Sequence, residues 1–348
     1  MPDHILSILQ SHLSRYPQME PQDVGKLAYQ RALGPEHLIE CPEQVLEGIR
    51  SERAALPPVS SPQEPEWIGN GLCRFPLSAL NNELDEALLA KLFFLTAREH
   101  AGSPALLEES LSLMETLPVS GMTEWLSGYR AKGCPPVSHS EGYRRAYRPH
   151  YRLLRREYAC YFPVLSAIAH LLKERDSALI SIDGRCGSGK TMLSQLINRV
   201  FDCNVLHIDD YYLPLDRRRP DWAEVPGANM DLVRFRQEAL KPIRAGQNVF
   251  YRPYSCQQGT YLPSRPMPVK ALTVAEGSYS QHPVLSDQYD LKIFLTCSAD
   301  AQRARLRMRE GDYFAMFERR WIPLEEGYLR QYRVEENCSL RVDTSEFF

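Results

Sequence analysis

The sequence predicts an α/β fold in its second half, a parallel sheet flanked by helices, preceded by a mostly α-helical first half. Three observations predict it. Gly184-Arg185-Cys186-Gly187-Ser188-Gly189-Lys190-Thr191 fits G-x-x-x-x-G-K-[ST] without mismatch. The stretch is bracketed by apolar, β-branched Ala178-Leu179-Ile180-Ser181-Ile182-Asp183 and by a segment with Leu193, Leu196, Ile197 and Val200 at helical spacing. It therefore joins a buried strand to an amphipathic helix. Further apolar runs recur downstream at 204–208, 269–275 and 291–297, whereas the first half carries mainly helical stripes.

The residue types of the motif follow from what a phosphate needs. Glycines at 184, 187 and 189 allow a tight turn and let backbone N–H groups approach an anion without a Cβ in the way. The helix that follows points its positive end at the same place. Lys190 reaches the β- and γ-phosphates, and the Thr191 hydroxyl holds Mg²⁺. Residues 184–191 are thus expected to bind a nucleoside triphosphate.

At 348 residues the chain is long for one domain, and two are expected: a helical domain at 1–170 and a nucleotide-binding domain at 171–348. With 43% hydrophobic and 24% charged residues it has the composition of a soluble globular protein. A net charge of −3 argues against general nucleic-acid binding. The nine cysteines form no C-x-x-C pair, which excludes the usual zinc spacing and fits reduced thiols in a cytoplasmic protein. No apolar run approaches the roughly 20 residues needed to span a bilayer, and residues 1–4 lack a signal-peptide pattern. A homo-oligomer is compatible with these features, and nothing in them sets the oligomeric state.

In the first half, Ile5, Leu6, Ile8, Leu9 and Leu13 form one amphipathic stripe and Val24, Leu27, Ala28 and Leu33 another, stopped by Gly34-Pro35. Pro42 opens a third helix. Residues 57–62 are a proline-rich loop, and 66–77 suggest a short hairpin around Gly69-Asn70-Gly71. Helices are expected at 83–100, 104–117 and 161–173. Tyr143, Tyr147 and Tyr151 repeat every fourth residue, as do Arg144, Arg148 and Arg152, so helical spacing would give each set one face, with Pro149 interrupting. The preferred reading is an amphipathic helix with its tyrosines on the core; the alternative is an anion site. Isolated His37, His139 and His150 are expected to pack or hydrogen-bond rather than bind metal.

In the second half, the strand at 204–208 ends in Asp209-Asp210-Tyr211-Tyr212. Acids at the carboxyl end of a parallel strand point into the ligand crevice, where one can take a proton from a substrate hydroxyl or help hold Mg²⁺. Either aspartate suits, because a strand buried on both faces shows no alternation. Asp231 opens a helix and can serve as its N-cap. A strand at 248–252 leads into an aromatic loop containing Tyr254, and Glu276 closes the apolar run 269–275, where a second Mg²⁺-side carboxylate is expected. The strand at 291–297 feeds a helix with Arg303, Arg305, Arg307 and Arg309, and residues 338–342 suit a final strand.

These residues, in this order, resemble the uridine kinase and phosphoribulokinase group of P-loop kinases. The resemblance covers about residues 178–343, half the chain. It rests on the phosphate loop, Ile208-Asp209-Asp210-Tyr211-Tyr212, Asn229-Met230-Asp231, Glu276-Gly277, and Lys292-Ile293-Phe294 before the arginine helix. It implies a five-stranded parallel sheet, Asp209 as the base, and Mg²⁺ held by Thr191 and Glu276, with Asp209 a further metal-side carboxylate. Arg305 and Arg309 match the family's phosphate-contacting pair, and a further family arginine is replaced by Gln302. Tyr254-Ser255-Cys256 stands where uridine kinases carry Tyr-Asp-Phe, and no histidine follows.

The expected activity is an ATP- and Mg²⁺-dependent small-molecule kinase that transfers the γ-phosphoryl group to a substrate hydroxyl, on a nucleoside, sugar or polyol. Lys190, Asp209, Arg305 and Arg309 would act on the reacting groups, and Asp210, Tyr212, Asp231 and Tyr254 would contact the substrate. The alternative is an ATP-hydrolysing switch coupled to a ligand-binding helical domain.

Overall fold

A computed structural model describes residues 5–35, 41–57 and 63–347. His37 and most of the proline-rich loop lie outside these residues. The chain divides into two compact units, Met1–Ser166 and Ala167–Phe348.

The first unit has helices α1 (Ile5–Arg15), α2 (Pro21–Leu33), α3 (Pro42–Ala54), α4 (Glu83–Glu99), α5 (Pro104–Met114), α6 (Met122–Ala131), α7 (Glu141–Tyr147) and α8 (Arg156–Cys160). They pack with a small antiparallel sheet of β1 (Glu66–Gly69), β2 (Leu72–Pro76) and β3 (Tyr151–Arg155), in the order β1-β2-β3. Leu9, Leu27, Ala28, Ile49, Leu89 and Leu111 are fully enclosed, one stripe from each of five helices. Caps set the helix starts: Asn82 accepts from Leu84 N and Asp85 N at α4, Ser103 precedes Pro104 at α5, and Ser140 accepts from Tyr143 N at α7.

The tyrosine and arginine repeat is not one helix. It is helical only through Tyr147, after which Arg148 turns left-handed (φ 45°) ahead of Pro149 and the chain enters β3. Proline removes a donor and disfavours α geometry in the residue before it, so fourth-residue spacing loses its meaning beyond Tyr147. Tyr143 and Tyr147 pack edge-on around Tyr16, whereas Tyr151 faces Pro76 across the sheet.

A polar chain runs through this unit. Asp23 accepts hydrogen bonds from Glu20 N, Ser140 N and Ser140 Oγ, and its Oδ1 lies 3.0 Å from His139 Nδ1. Burial works against the Asp23 charge, but the His139 and Ser140 hydrogen bonds outweigh it and hold its carboxyl below the usual range. An ionised Asp23 only accepts, so His139 carries its proton on Nδ1 and its Nε2 accepts from the Tyr151 hydroxyl at 2.8 Å. Tyr151 in turn accepts from Gln30 Nε2 at 3.1 Å, and Gln30 Oε1 accepts from Arg74 Nε at 3.0 Å.

Burial lowers the His139 pKa to about 4. Because the unfolded imidazole titrates at its ordinary value, the unfolded chain binds more protons across that interval. The stability contribution is whole above pH 6.5 and is lost as pH falls towards 4. The expected loss is about 3 kcal/mol, and His139→Gln flattens the profile in that window, as denaturation midpoints against pH will show.

The helix α9 (Phe162–Glu174) spans the division and leads to the second unit. There β4 (Ala178–Gly184), α10 (Lys190–Phe201), β5 (Asn204–His207), α11 (Leu232–Phe235) and α12 (Lys241–Arg244) follow in order. Two small hairpin-like pairs come next: β6 (Val249–Tyr251) with β9 (Arg265–Met267), and β7 (Tyr254–Ser255) with β8 (Thr260–Tyr261). Then come β10 (Leu272–Glu276), β11 (Leu291–Thr296), α13 (Ala299–Glu310), α14 (Phe314–Met316), α15 (Ile322–Gln331) and β12 (Leu340–Asp343).

The main sheet has five strands in the order β12-β11-β4-β10-β5, and every pairing is parallel. The expected fold class is therefore present: an α/β unit with a five-stranded parallel sheet flanked by helices, preceded by a mostly helical region. Every residue of β4 and β10 is buried, as their uninterrupted apolar character requires. The order reverses at β4, whose neighbours β10 and β11 lie far along the chain, so a crevice opens at its carboxyl end.

Gly184 ends β4 at φ 130°, and a Cβ there would meet Leu295 O at 1.9 Å. Gly184→Ala is therefore expected to cost more than about 3 kcal/mol, read by chemical denaturation.

Candidate active site

The site grows from that crevice. The loop after β4 turns through left-handed Gly187 (φ 76°) and Gly189 (φ 95°) into α10. Among the described residues, Gly187 N and Gly189 N have no acceptor, and the first turn of α10 adds further unpaired N–H groups. This is the donor set a phosphate chain needs. Lys190 Nζ lies over the loop, donating to Gly184 O at 2.6 Å and Arg185 O at 3.1 Å.

Register explains the acids. Glu276 at the end of β10 stands opposite His207 on β5 and Ile182 on β4. Thr191 Oγ1 donates to Glu276 Oε1 at 3.2 Å, and His207 Nδ1 lies 2.5 Å from the same oxygen. The Glu276 hydrogen bond raises the His207 pKa. Two residues past His207, Asp209 stands in the turn Ile208–Tyr211, ringed by protein yet open to the cavity water. That enclosure, and then the negative charge of Glu276, raise its pKa; Lys190, a Tyr212 hydrogen bond and His207 act against them.

A cavity of about 950 Å³ lies over these groups. Of the loop, Cys186, Gly187, Gly189, Lys190 and Thr191 line it, whereas Arg185 is tied to Glu326 and Thr296 and Ser188 is buried behind. Asp209, Glu276, Tyr212, Tyr254, Arg305 and Arg309 line it too. Arg305 is braced by Gly187 O, Thr344 Oγ1, Thr344 O and Ser345 O, which fixes α13 against the loop. Arg309 is exposed beside Glu310. Gln302 donates to Cys186 O.

Two expected substrate contacts do not reach the cavity wall. Asp210 accepts from the Tyr251 hydroxyl at 3.1 Å and pairs with Arg265 at 3.4 Å. Asp231 caps α11, accepting from Arg234 N at 3.1 Å. Each has its charge satisfied elsewhere.

Two site residues escape a sequence reading, and a third, Asn229, shows there only as a member of Asn229-Met230-Asp231. Glu325, on α15, is buried and accepts from Cys186 N at 2.7 Å and Ser278 Oγ at 2.6 Å. His207 reads as an ordinary strand end. Asn229 is 1% exposed, lines the cavity, and among the described residues neither its Oδ1 nor its Nδ2 has a partner. A buried amide left unpaired costs about 1–3 kcal/mol, so a water or a ligand in the cavity that bonds to it is favoured. Asn229→Ala is expected to leave unfolding free energy within about 1 kcal/mol of the parent while weakening roughly tenfold any small molecule that bonds to the amide in the cavity. Denaturation and the KM of the compound that stimulates turnover, measured side by side, check it.

Behind the loop, Asp183 is fully buried and accepts from Gly184 N, Gln281 N and the Tyr328 hydroxyl, each within 2.8 Å. Burial raises its pKa to about 6.

No family model matches the chain, and no curated protein matches it. Among solved structures it is similar to a possible uridine kinase from Bacillus stearothermophilus, at 18% identity and a TM-score of 0.41, over 52% of this chain and 100% of that one. It is also similar to a D-glycerate 3-kinase from Cryptococcus neoformans, at 12% identity and a TM-score of 0.36, over 52% of this chain and 88% of that one. The second unit has the sheet order and the phosphate loop of a parallel α/β nucleotide-binding fold. Among the described residues, no helix is long and apolar enough to cross a membrane.

Proposed function

We propose that the protein is an ATP-dependent kinase that phosphorylates a hydroxyl of a small molecule. One observation carries the reading: Lys190, Thr191, Glu276 and Asp209 line one cavity of about 950 Å³ together with the phosphate loop. The cavity must also take the rest of the nucleotide; support for an acceptor comes from Asp209 and the unpaired Asn229, which line it outside the phosphate loop.

In this reading the loop N–H groups and Lys190 hold the phosphates. Thr191, Glu276 and Asp209 offer hard oxygen donors suited to Mg²⁺. No cluster of three or more acid, histidine or cysteine ligands occurs among the described residues, which is usual where a magnesium ion takes the rest of its shell from phosphate and water. The bound metal would neutralise charge developing on the phosphoryl oxygens. Asp209 accepts the acceptor's hydroxyl proton, Tyr212 orients Asp209 by hydrogen bonding, and Arg309 is positioned to close on the phosphates. Tyr254 and Asn229 face the acceptor. A cytoplasmic setting belongs to the same proposal, supported by nine free cysteines.

The test is ADP formation by purified protein with Mg²⁺ and ATP against nucleosides, sugars, polyols and hydroxy acids. Stimulation by one compound supports the kinase. Hydrolysis that no acceptor alters favours a nucleotide switch instead.

A further inference from the structure

Several charges of the helical unit are paired locally, whereas two arginines at one cavity are not. Arg152 and His150 both lie against Glu52, Arg130 bridges Glu108 and Glu115, and Arg53 pairs with Glu86. By contrast, a cavity of about 290 Å³ is lined by Lys26, Arg144, Arg148, His139 and His150 with no carboxylate in its wall. Among the described residues, neither Arg144 nor Arg148 has an acid partner. Lys26 donates to Val137 O at 3.0 Å, and burial, then the charges of Arg74 and Arg144, push its pKa down to about 8 against the opposing charge of Asp23. Asp23 lies behind His139 and is committed to His139 and Ser140.

The three cations come from different places: Lys26 from α2, Arg144 from α7, and Arg148 from the turn after it. Arg148 is held at φ 45°, a backbone state that costs a non-glycine residue about 1 kcal/mol or more. Like charges converging on one space repel unless an anion joins them.

The second feature is what lies beside the cations. An adjoining cavity of about 410 Å³ shares Lys26, His139 and Pro149 with the first; Gln30, Gln44 and Tyr151 give its wall neutral polar groups, and its two other charged residues, Glu52 and Arg152, are paired with each other at 2.6 Å. The Asp23–His139–Tyr151–Gln30 chain ends there with every proton placed, so the Tyr151 oxygen presents a remaining lone pair in a fixed direction. One side of the paired space thus suits an anion, and the other, where Glu52 and Arg152 neutralise each other, offers Tyr151, Gln30 and Gln44 to hydroxyl or amide groups.

We propose that the helical unit carries its own binding site for a small anionic, hydroxyl-bearing compound, its anion held by Lys26, Arg144 and Arg148 and its polar body by Tyr151, Gln30 and Gln44. The site is independent of the phosphate loop and of the kinase reading. Its anion is a phosphate ester or a carboxylate, which share this recognition chemistry.

The test is calorimetric titration of the full chain carrying Lys190→Ala, so that the phosphate loop is weakened, with inorganic phosphate and separately with malonate. At least one anion is expected to bind, and Arg144→Ala/Arg148→Ala, both exposed and safe for folding, is expected to weaken it at least about tenfold. Arg145→Ala, on the same helix but outside the cavity wall, leaves binding unchanged. Phosphate binding alone marks a phosphate ester, malonate alone a carboxylate, and both together the shared site. No binding of either anion, binding indifferent to the double variant, or an equal loss with Arg145→Ala overturns the proposal. None of these results bears on whether the second unit is a kinase.

Discussion

Asp209→Asn is expected to lower kcat for phosphoryl transfer by about 10³-fold while leaving Mg·ATP affinity within a few-fold of the parent. The reason is geometric. Asp209 opens onto the cavity beside Lys190, Glu276 and Tyr212, and in the proposed reaction its carboxylate would take the hydroxyl proton, since Glu276 is engaged by Thr191 and His207 and Glu325 by Cys186 N and Ser278. An amide of the same shape keeps the packing and loses the basicity. Asp210→Asn is the control: its partners are Tyr251 and Arg265, outside the cavity wall, and its effect is expected to stay below about tenfold. Steady-state kinetics with a calorimetric ATP titration separates the two. The reverse ranking would transfer the role of base to Asp210.

Lys190→Ala is expected to lower kcat by about 10²–10³-fold and to weaken ATP binding as well, because in the proposed kinase its charge would act on the phosphates both before and during transfer. In the structure Nζ holds the loop together through Gly184 O and Arg185 O. Some loss of order in the loop therefore accompanies the loss of charge. Lys190→Arg keeps the charge but not the compact reach, and recovers little. Equal activity in Lys190→Ala and the parent would mean that the loop does not hold the reacting phosphates.

The parts of this site that can be read in the sequence are those whose chemistry is local. Three glycines, a lysine and a threonine at fixed spacing between a strand and a helix are enough to place the phosphate loop, since one turn of backbone decides it. The strands β4, β10 and β11 announce themselves by apolar runs that only a doubly covered sheet produces. The rest depends on packing. Glu325 reaches Cys186 N from 139 residues away, and nothing in α15 signals it. Asn229 is informative only because its amide is buried and unpaired, a property of the folded state. Asp209 and Asp210 look alike in the pattern, and the turn Ile208–Tyr211 separates their surroundings. In the first unit, the fourth-residue repeat of tyrosine and arginine extends through Tyr151, but Pro149 and the left-handed Arg148 end the helix first. Strand β3 is hidden within that repeat.

Isotope transfer is the most direct measurement of the central claim. With γ-labelled ATP, Mg²⁺ and the acceptor that stimulates turnover, the label is expected on a hydroxyl oxygen of the acceptor, and Asp209→Asn is expected to yield none. Label recovered entirely as inorganic phosphate, at a rate no small molecule changes, would contradict the kinase and leave a hydrolysing switch in its place.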